Sequence, residues 1–127
     1  TVDPGKMELG LGLHGEPGIQ TVDLASAAEI AQTMVEKVLS DVPEGSSGQA
    51  TVMLNGLGST KYEEMFVLYK DVARLLESNG IAIHDPLIGE YATSLDMAGC
   101  SLTLMWLDDD LRTLYDAPVK TPAYTKA

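Results

Sequence analysis

The sequence predicts an α/β fold, a two-layer domain in which a mixed β-sheet is packed by helices. Three observations carry this. Short apolar stretches with strand character alternate with longer amphipathic helical patterns. Some of those strand stretches follow one another with no helix between them, which makes the sheet mixed. The 127 residues, 45% apolar and 21% charged, suffice for one core and fall short of two full domains.

Residues 1–6 read as a linker, with Pro4-Gly5 as a turn signal, and 7–127 as the domain. The first residue is not Met, so the chain is expected to be a piece of something longer. Residues 7–14 (MELGLGLH) place Met7, Leu9, Leu11 and Leu13 on one face of a strand. Glu8, Gly10, Gly12 and His14 fall on the other, and two glycines on a strand face suit the close approach of another backbone or a ligand. Gly15-Glu16-Pro17-Gly18 then enforces a turn.

A helix is expected over 27–39, opened by the capping box Ser26/Glu29 and carrying Ile30, Met34, Val35 and Val38 at helical spacing. After a loop at 43–48, residues 50–54 (ATVML) form a short strand buried on both faces. Residues 55–60 make a glycine-rich turn into the longest helix, 61–79, whose apolar stripe is Met65, Leu68, Tyr69, Val72, Leu75 and Leu76. Gly80 is its C-terminal stop. Residues 81–84 and 87–91 are strand candidates separated by Asp85-Pro86, so this part belongs at an edge or a bulge. Residues 101–107 (SLTLMWL) form another strand. The carboxylates of Asp108, Asp109 and Asp110 complement the N-terminus of a short helix reaching about Tyr115. Residues 117–127 read as an irregular tail.

The formal charge of −11 and the absence of a basic stripe exclude a nucleic-acid-binding reading. No apolar run approaches the roughly 20 residues of a membrane span, and residues 1–10 lack the pattern of a signal peptide. A cytoplasmic setting is expected, and the single Cys100 fits a reducing one.

Gly10-x-Gly12-x-x-Gly15 matches a dinucleotide-binding pattern by letter, but Glu16-Pro17-Gly18 cannot continue into the helix that pattern requires. Gly56-x-Gly58 joins a strand to a helix and lacks the Lys-Ser/Thr ending of a P-loop, so a tight turn is the favoured reading over an anion site. Two distant histidines and one cysteine give no metal-ligand spacing, and no metal is expected. His84 is read as a surface or structural residue. Cys100 is read as a buried structural thiol. Met34, Met53, Met65, Met97, Met105 and Trp106 are read as packing. His14 stands at the end of the glycine-lined face before a rigid turn, where a site residue and an ordinary loop histidine are both reasonable.

Taken together, the motifs resemble the dihydroxyacetone kinase family. Residues 10–18 (GLGLHGEPG), 55–58 (NGLG), 89–99 (GEYATSLDMAG), 101–104 (SLTL) and 116–123 (DAPVKTPA) occur in the family's order and spacing, covering nearly the whole chain from Met7 onward. The resemblance implies that 7–127 is the second, C-terminal α/β part of the dihydroxyacetone-binding domain or subunit. It implies that His14 is both the catalytic and the substrate-binding residue, its imidazole adding to the carbonyl carbon of dihydroxyacetone as a hemiaminal. It further implies no cofactor on this chain, with ATP and Mg, or a phosphoprotein donor, held by a separate domain or subunit. The partners implied are the missing N-terminal part, the nucleotide-binding kinase domain and a second copy in a homodimer. The chain alone is expected to be inactive. A four-carbon ketose such as erythrulose, or a non-catalytic regulatory role, are the alternatives. Ser59, Lys61 and Lys126 depart from the family pattern.

Overall fold

The structure, a computed structural model, describes residues 2–127. Its centre is the strand β3 (Gln49–Gly58). The chain before β3 contributes β1 (Lys6–Leu9), β2 (Gln20–Asp23) and α1 (Ala27–Leu39). After it come α2 (Tyr62–Ser78), β4 (Ala82–Ile83), β5 (Leu87–Gly89), β6 (Ala98–Trp106), α3 (Asp109–Asp116), β7 (Val119–Lys120) and β8 (Thr125–Lys126).

One edge of β3 pairs antiparallel with β6 along its length, from Ala50↔Trp106 to Gly58↔Ala98. The other edge pairs parallel with β4 at Gln49 and Ala50, and with β5 from Met53 to Asn55. β4 and β5 are thus two pieces of one edge strand, broken at His84-Asp85-Pro86, where Asp85 has φ 40°. The sheet is mixed, as the sequence predicts.

Alternation along β3 sends Ala50, Val52 and Leu54 to one face, where each is fully buried. They pack against Ala31 and Val35 of α1 and against Met65, Leu68, Val72 and Leu76 of α2. Each large side chain in this layer contributes roughly 2 kcal/mol through burial. Tyr69 and Leu75 border the same core. Gly56 lets the α2 layer approach, since a Cβ there would come within 2.7 Å of the Met65 sulfur. Thr51 points to the opposite face, where Tyr115 of α3 meets it.

The helix ends follow the sequence closely. Glu29 N–H donates to Ser26 Oγ while Glu29 Oε2 accepts the Ser26 N–H, which completes the capping box. Asp108 Oδ1 accepts the Leu111 N–H and opens α3. Gly80, with φ 80°, ends α2.

Five expectations need correction. The strand expected over 7–14 stops at Leu9, because Gly10 adopts φ 73° and takes the chain off the pleat. The strand expected over 50–54 runs on to Gly58, since Asn55, Gly56 and Leu57 pair with β6 instead of turning. Met105 pairs with Thr51 on the face away from the main core and is 40% exposed. The tail forms a two-stranded hairpin, with Val119 opposite Lys126. Lys6, placed in the expected linker, is the first residue of β1, and β2 went unread altogether.

Candidate functional site

β1 and β2 pair antiparallel, Lys6↔Asp23 through Leu9↔Gln20, and present residues 10–19 as a loop with His14 at its tip. Four glycines shape it. Gly10 lies against Ile19, whose side chain would collide with a Cβ. Gly12 donates its N–H to the Glu16 carbonyl at 3.0 Å, and Gly15, with φ 88°, donates to the Gly12 carbonyl at 3.1 Å. At the base, Gly18 N–H donates to Glu8 Oε1 at 3.1 Å. The loop closes on itself without regular secondary structure, which is why a strand pattern in the sequence misplaces His14.

The His14 side chain is 90% exposed. Its backbone N–H donates to Glu16 Oε2 at 3.1 Å, and its Nδ1 lies 3.8 Å from Glu16 Oε1. An exposed imidazole on a fixed backbone can act as a nucleophile or a proton carrier toward a molecule reaching the loop. Among the described residues, the hydrogen bonds of residues 3–24 all stay within that segment. His14 is therefore brought together with Glu16 and with no other candidate residue.

A second constellation joins two of the sequence motifs. Asn55, 3% exposed on β3, accepts the N–H groups of Tyr91 and Ala92 on Oδ1 at 2.7 and 3.0 Å, and donates from Nδ2 to the Ala92 carbonyl at 2.7 Å. Gly58 N–H donates to Thr93 Oγ1, and Ser59 N–H to the Met97 carbonyl. Gly58 has φ 61°, and a Cβ there would run into that Met97 carbonyl. The 55–58 motif and the 89–99 motif are thus two halves of one clasp. Sequence reasoning missed Asn55. The signal was a lone amide at the end of an apolar run, a polar group that must find partners if buried.

His84, read from the sequence as a surface or structural residue, meets a partner distant in sequence. Its Nε2 lies 2.7 Å from Asp116 Oδ1 and its ring meets Tyr115 edge-on. Lys126 joins the same group, 2.7 Å from Asp85 Oδ2 and stacked 4.1 Å from the Tyr115 ring centre. The His84 hydrogen bond holds the Asp116 carboxyl below its usual range, aided by the charges of His84 and Lys126. Cys100 faces the main core across from Gly56, and burial pushes its thiol up. Among the described residues, no three His, Cys, Asp or Glu side chains form a metal-holding group, and no helix is long and apolar enough to cross a membrane.

Neither glycine loop fits a nucleotide phosphate. The 10–18 loop leads to β2, not to a helix, and Glu8 and Glu16 already take its N–H groups. α2, which follows Gly58, begins with the Lys61 N–H bonded to Glu64 Oε2.

The model of the Dak1 domain matches residues 1–123. A D-erythrulose kinase of Mycolicibacterium smegmatis is 53% identical over 126 residues, which are 99% of this chain and 22% of that protein. The dihydroxyacetone-binding subunit of a PTS-dependent dihydroxyacetone kinase from Listeria innocua is 38% identical over 120 residues, 94% of this chain and 36% of that subunit. Among solved structures, a dihydroxyacetone kinase operon co-activator superposes with a TM-score of 0.84 at 30% identity, covering 93% of this chain and 37% of that one. The chain spans between about a fifth and two fifths of the length of these relatives.

Proposed function

The chain belongs to the Dak1 domain family of the dihydroxyacetone kinases, and from that premise we propose that it is the ketose-capturing part of such a kinase. The observation that carries this is His14, exposed at the tip of a glycine loop that holds its backbone fixed. The lone pair of an unprotonated ring nitrogen attacks the carbonyl carbon of dihydroxyacetone, the C–N bond forms, and the C=O π pair moves to oxygen, which takes up a proton as the ring releases the one on its other nitrogen. The product is a hemiaminal that presents a terminal hydroxyl for phosphorylation. Glycerol, with no carbonyl, is refused on chemistry as well as shape.

Residues 7–127 act in this reading as the second α/β part of the substrate-binding domain. The acid/base groups that serve phosphoryl transfer and the phosphoryl donor, ATP with Mg or a phosphoprotein, belong to other segments or subunits. Chain and donor meet only in the assembled enzyme, so the chain alone does not turn over. A second reading, in which the ketose is erythrulose, is favoured by the 53% identity with a D-erythrulose kinase. His14 chemistry is the same for both, because it needs only the carbonyl.

The test uses the full-length protein and dihydroxyacetone labelled with ¹³C at the carbonyl. Capture replaces the ketone resonance with that of a saturated carbon, and His14→Ala abolishes the change. A saturated-carbon signal that survives His14→Ala refutes the covalent role. Relative kcat/KM for dihydroxyacetone and erythrulose then ranks the two readings, and a protein that turns over neither is a binding or regulatory member.

A further inference from the structure

We propose that Glu16 is the positioning residue of the His14 nucleophile, holding the Nδ1 side of the ring so that Nε2 makes the bond to the ketone. This rests on the proposed role of His14. Both ends of Glu16 are committed to the loop. Its carbonyl accepts the Gly12 N–H at 3.0 Å, closing the loop across its base, and Oε2 accepts the His14 N–H at 3.1 Å. The second carboxylate oxygen, Oε1, remains 3.8 Å from Nδ1. That separation is within ion-pair range and slightly beyond a hydrogen bond, so a small ring rotation closes it. Gly12 makes the arrangement achievable, because a Cβ there would collide with the Glu16 carboxylate.

Among the described residues, no neighbouring charge competes for Glu16. Lys6, the cation on β1, is bonded to Asp23 at 2.6 Å, and the Glu8 carboxylate takes the Gly18 N–H. The carboxylate thus has one partner besides the backbone, the imidazole, and the ring nitrogen on the far side, Nε2, is the one left for substrate.

The chemistry gives this pairing a purpose. Attack by the Nε2 lone pair forms the N–C bond and leaves the ring cationic, with its proton on Nδ1. A carboxylate beside Nδ1 stabilises that charge as it develops and accepts the proton. The former carbonyl oxygen, carrying the displaced π pair, gains a proton from water, and the hydroxide left behind takes up the proton that Glu16 accepted. One proton leaves Nδ1 and one arrives at oxygen, so the hemiaminal is neutral and the step balances. A charge that strengthens an interaction only as the bond forms lowers the barrier and leaves ground-state binding unchanged.

The experiment uses full-length protein carrying Glu16→Gln or Glu16→Asp, with His14→Ala as reference. Glutamine keeps an oxygen for the His14 N–H and loses the charge, while aspartate keeps the charge on a shorter arm. Expected for Glu16→Gln is adduct formation slowed on the order of a hundredfold, read from exchange between free and captured ¹³C-ketone. ¹⁵N spectra of His14 should also show a smaller share of the tautomer protonated at Nδ1. Glu16→Asp should recover part of the rate. Wild-type rate and tautomer balance in Glu16→Gln, or equal losses in the two variants, overturn the proposal while His14 stands. An adduct that persists in His14→Ala removes the reading beneath it.

Discussion

Replacing Asn55 by alanine should unfold the chain more readily than almost any other polar substitution. The side chain is 3% exposed and makes three hydrogen bonds to the 91–92 backbone, two accepted and one donated. Each such bond is worth about 1 kcal/mol net, and the loss leaves two N–H groups and a carbonyl short of partners near the sheet. We expect about 3 kcal/mol of destabilisation, and a fall in Tm on the order of 10 °C for a chain of this size. Trp106, the single tryptophan, packs against the core and reports urea unfolding by fluorescence. Asn79→Ala is the control. That amide is exposed at the end of α2 and makes one bond, to the Leu75 carbonyl, so it should cost less than about 1 kcal/mol. If Asn55→Ala costs no more than the control, or if the Tyr91 and Ala92 amides keep their protection from exchange, the clasp contributes no more than a surface contact does.

Two further outcomes test other parts of the molecule. Cys100 faces the core with its thiol pushed up by burial, so an aromatic disulfide reagent should modify it at least about tenfold more slowly in the native chain than in urea; equal rates would place the thiol in solvent. The C-terminal hairpin should depend on pH through Asp116, whose carboxyl is depressed by the hydrogen bond from His84. A depressed carboxylate stabilises the fold above its unfolded value and loses that contribution as pH falls through the folded one. Order in residues 117–127, followed by ¹⁵N relaxation, should therefore hold at the ordinary value of 3.8 and decay below it. Lys126 acts in the opposite sense: its ammonium is raised by the bond to Asp85, so its contribution persists until pH climbs past the usual 10.5. Loosening already complete at pH values above 3.8 would argue against the Asp116 anchor.

Periodicity made the helices legible. Met65, Leu68, Val72 and Leu76 recur on one face of α2, and the Ser26/Glu29 box marks the start of α1 within the sequence itself. The strands were harder where glycine or asparagine carried them. Asn55 and Gly56 have turn chemistry, yet pairing with β6 and the partners of the Asn55 amide keep that segment extended. Residues 7–14 failed in the other direction, since alternation of leucine and glycine imitates a strand that the positive φ of Gly10 ends. The site divided the same way. His14 was visible as a residue type before a rigid turn, whereas Glu16 and the link from His84 to Asp116 depend on how the chain folds back, which no local pattern encodes.

The central place of β3 also decides when this chain can fold. Every strand that pairs with it comes later in sequence: Gln49 waits for Ala82, Gly58 for Ala98 and Ala50 for Trp106. During synthesis its apolar run therefore emerges with both edges bare, and the sheet cannot close until β6 has left the ribosome. Such non-local closure slows folding, because the chain between the pairs must be ordered before their contacts repay it. α1 and α2 can meet earlier, shielding one face of the strand while its edges remain open. Substitutions that weaken β6 would then extend the interval in which a bare apolar strand is open to other chains, and yield in the cell would suffer before activity does.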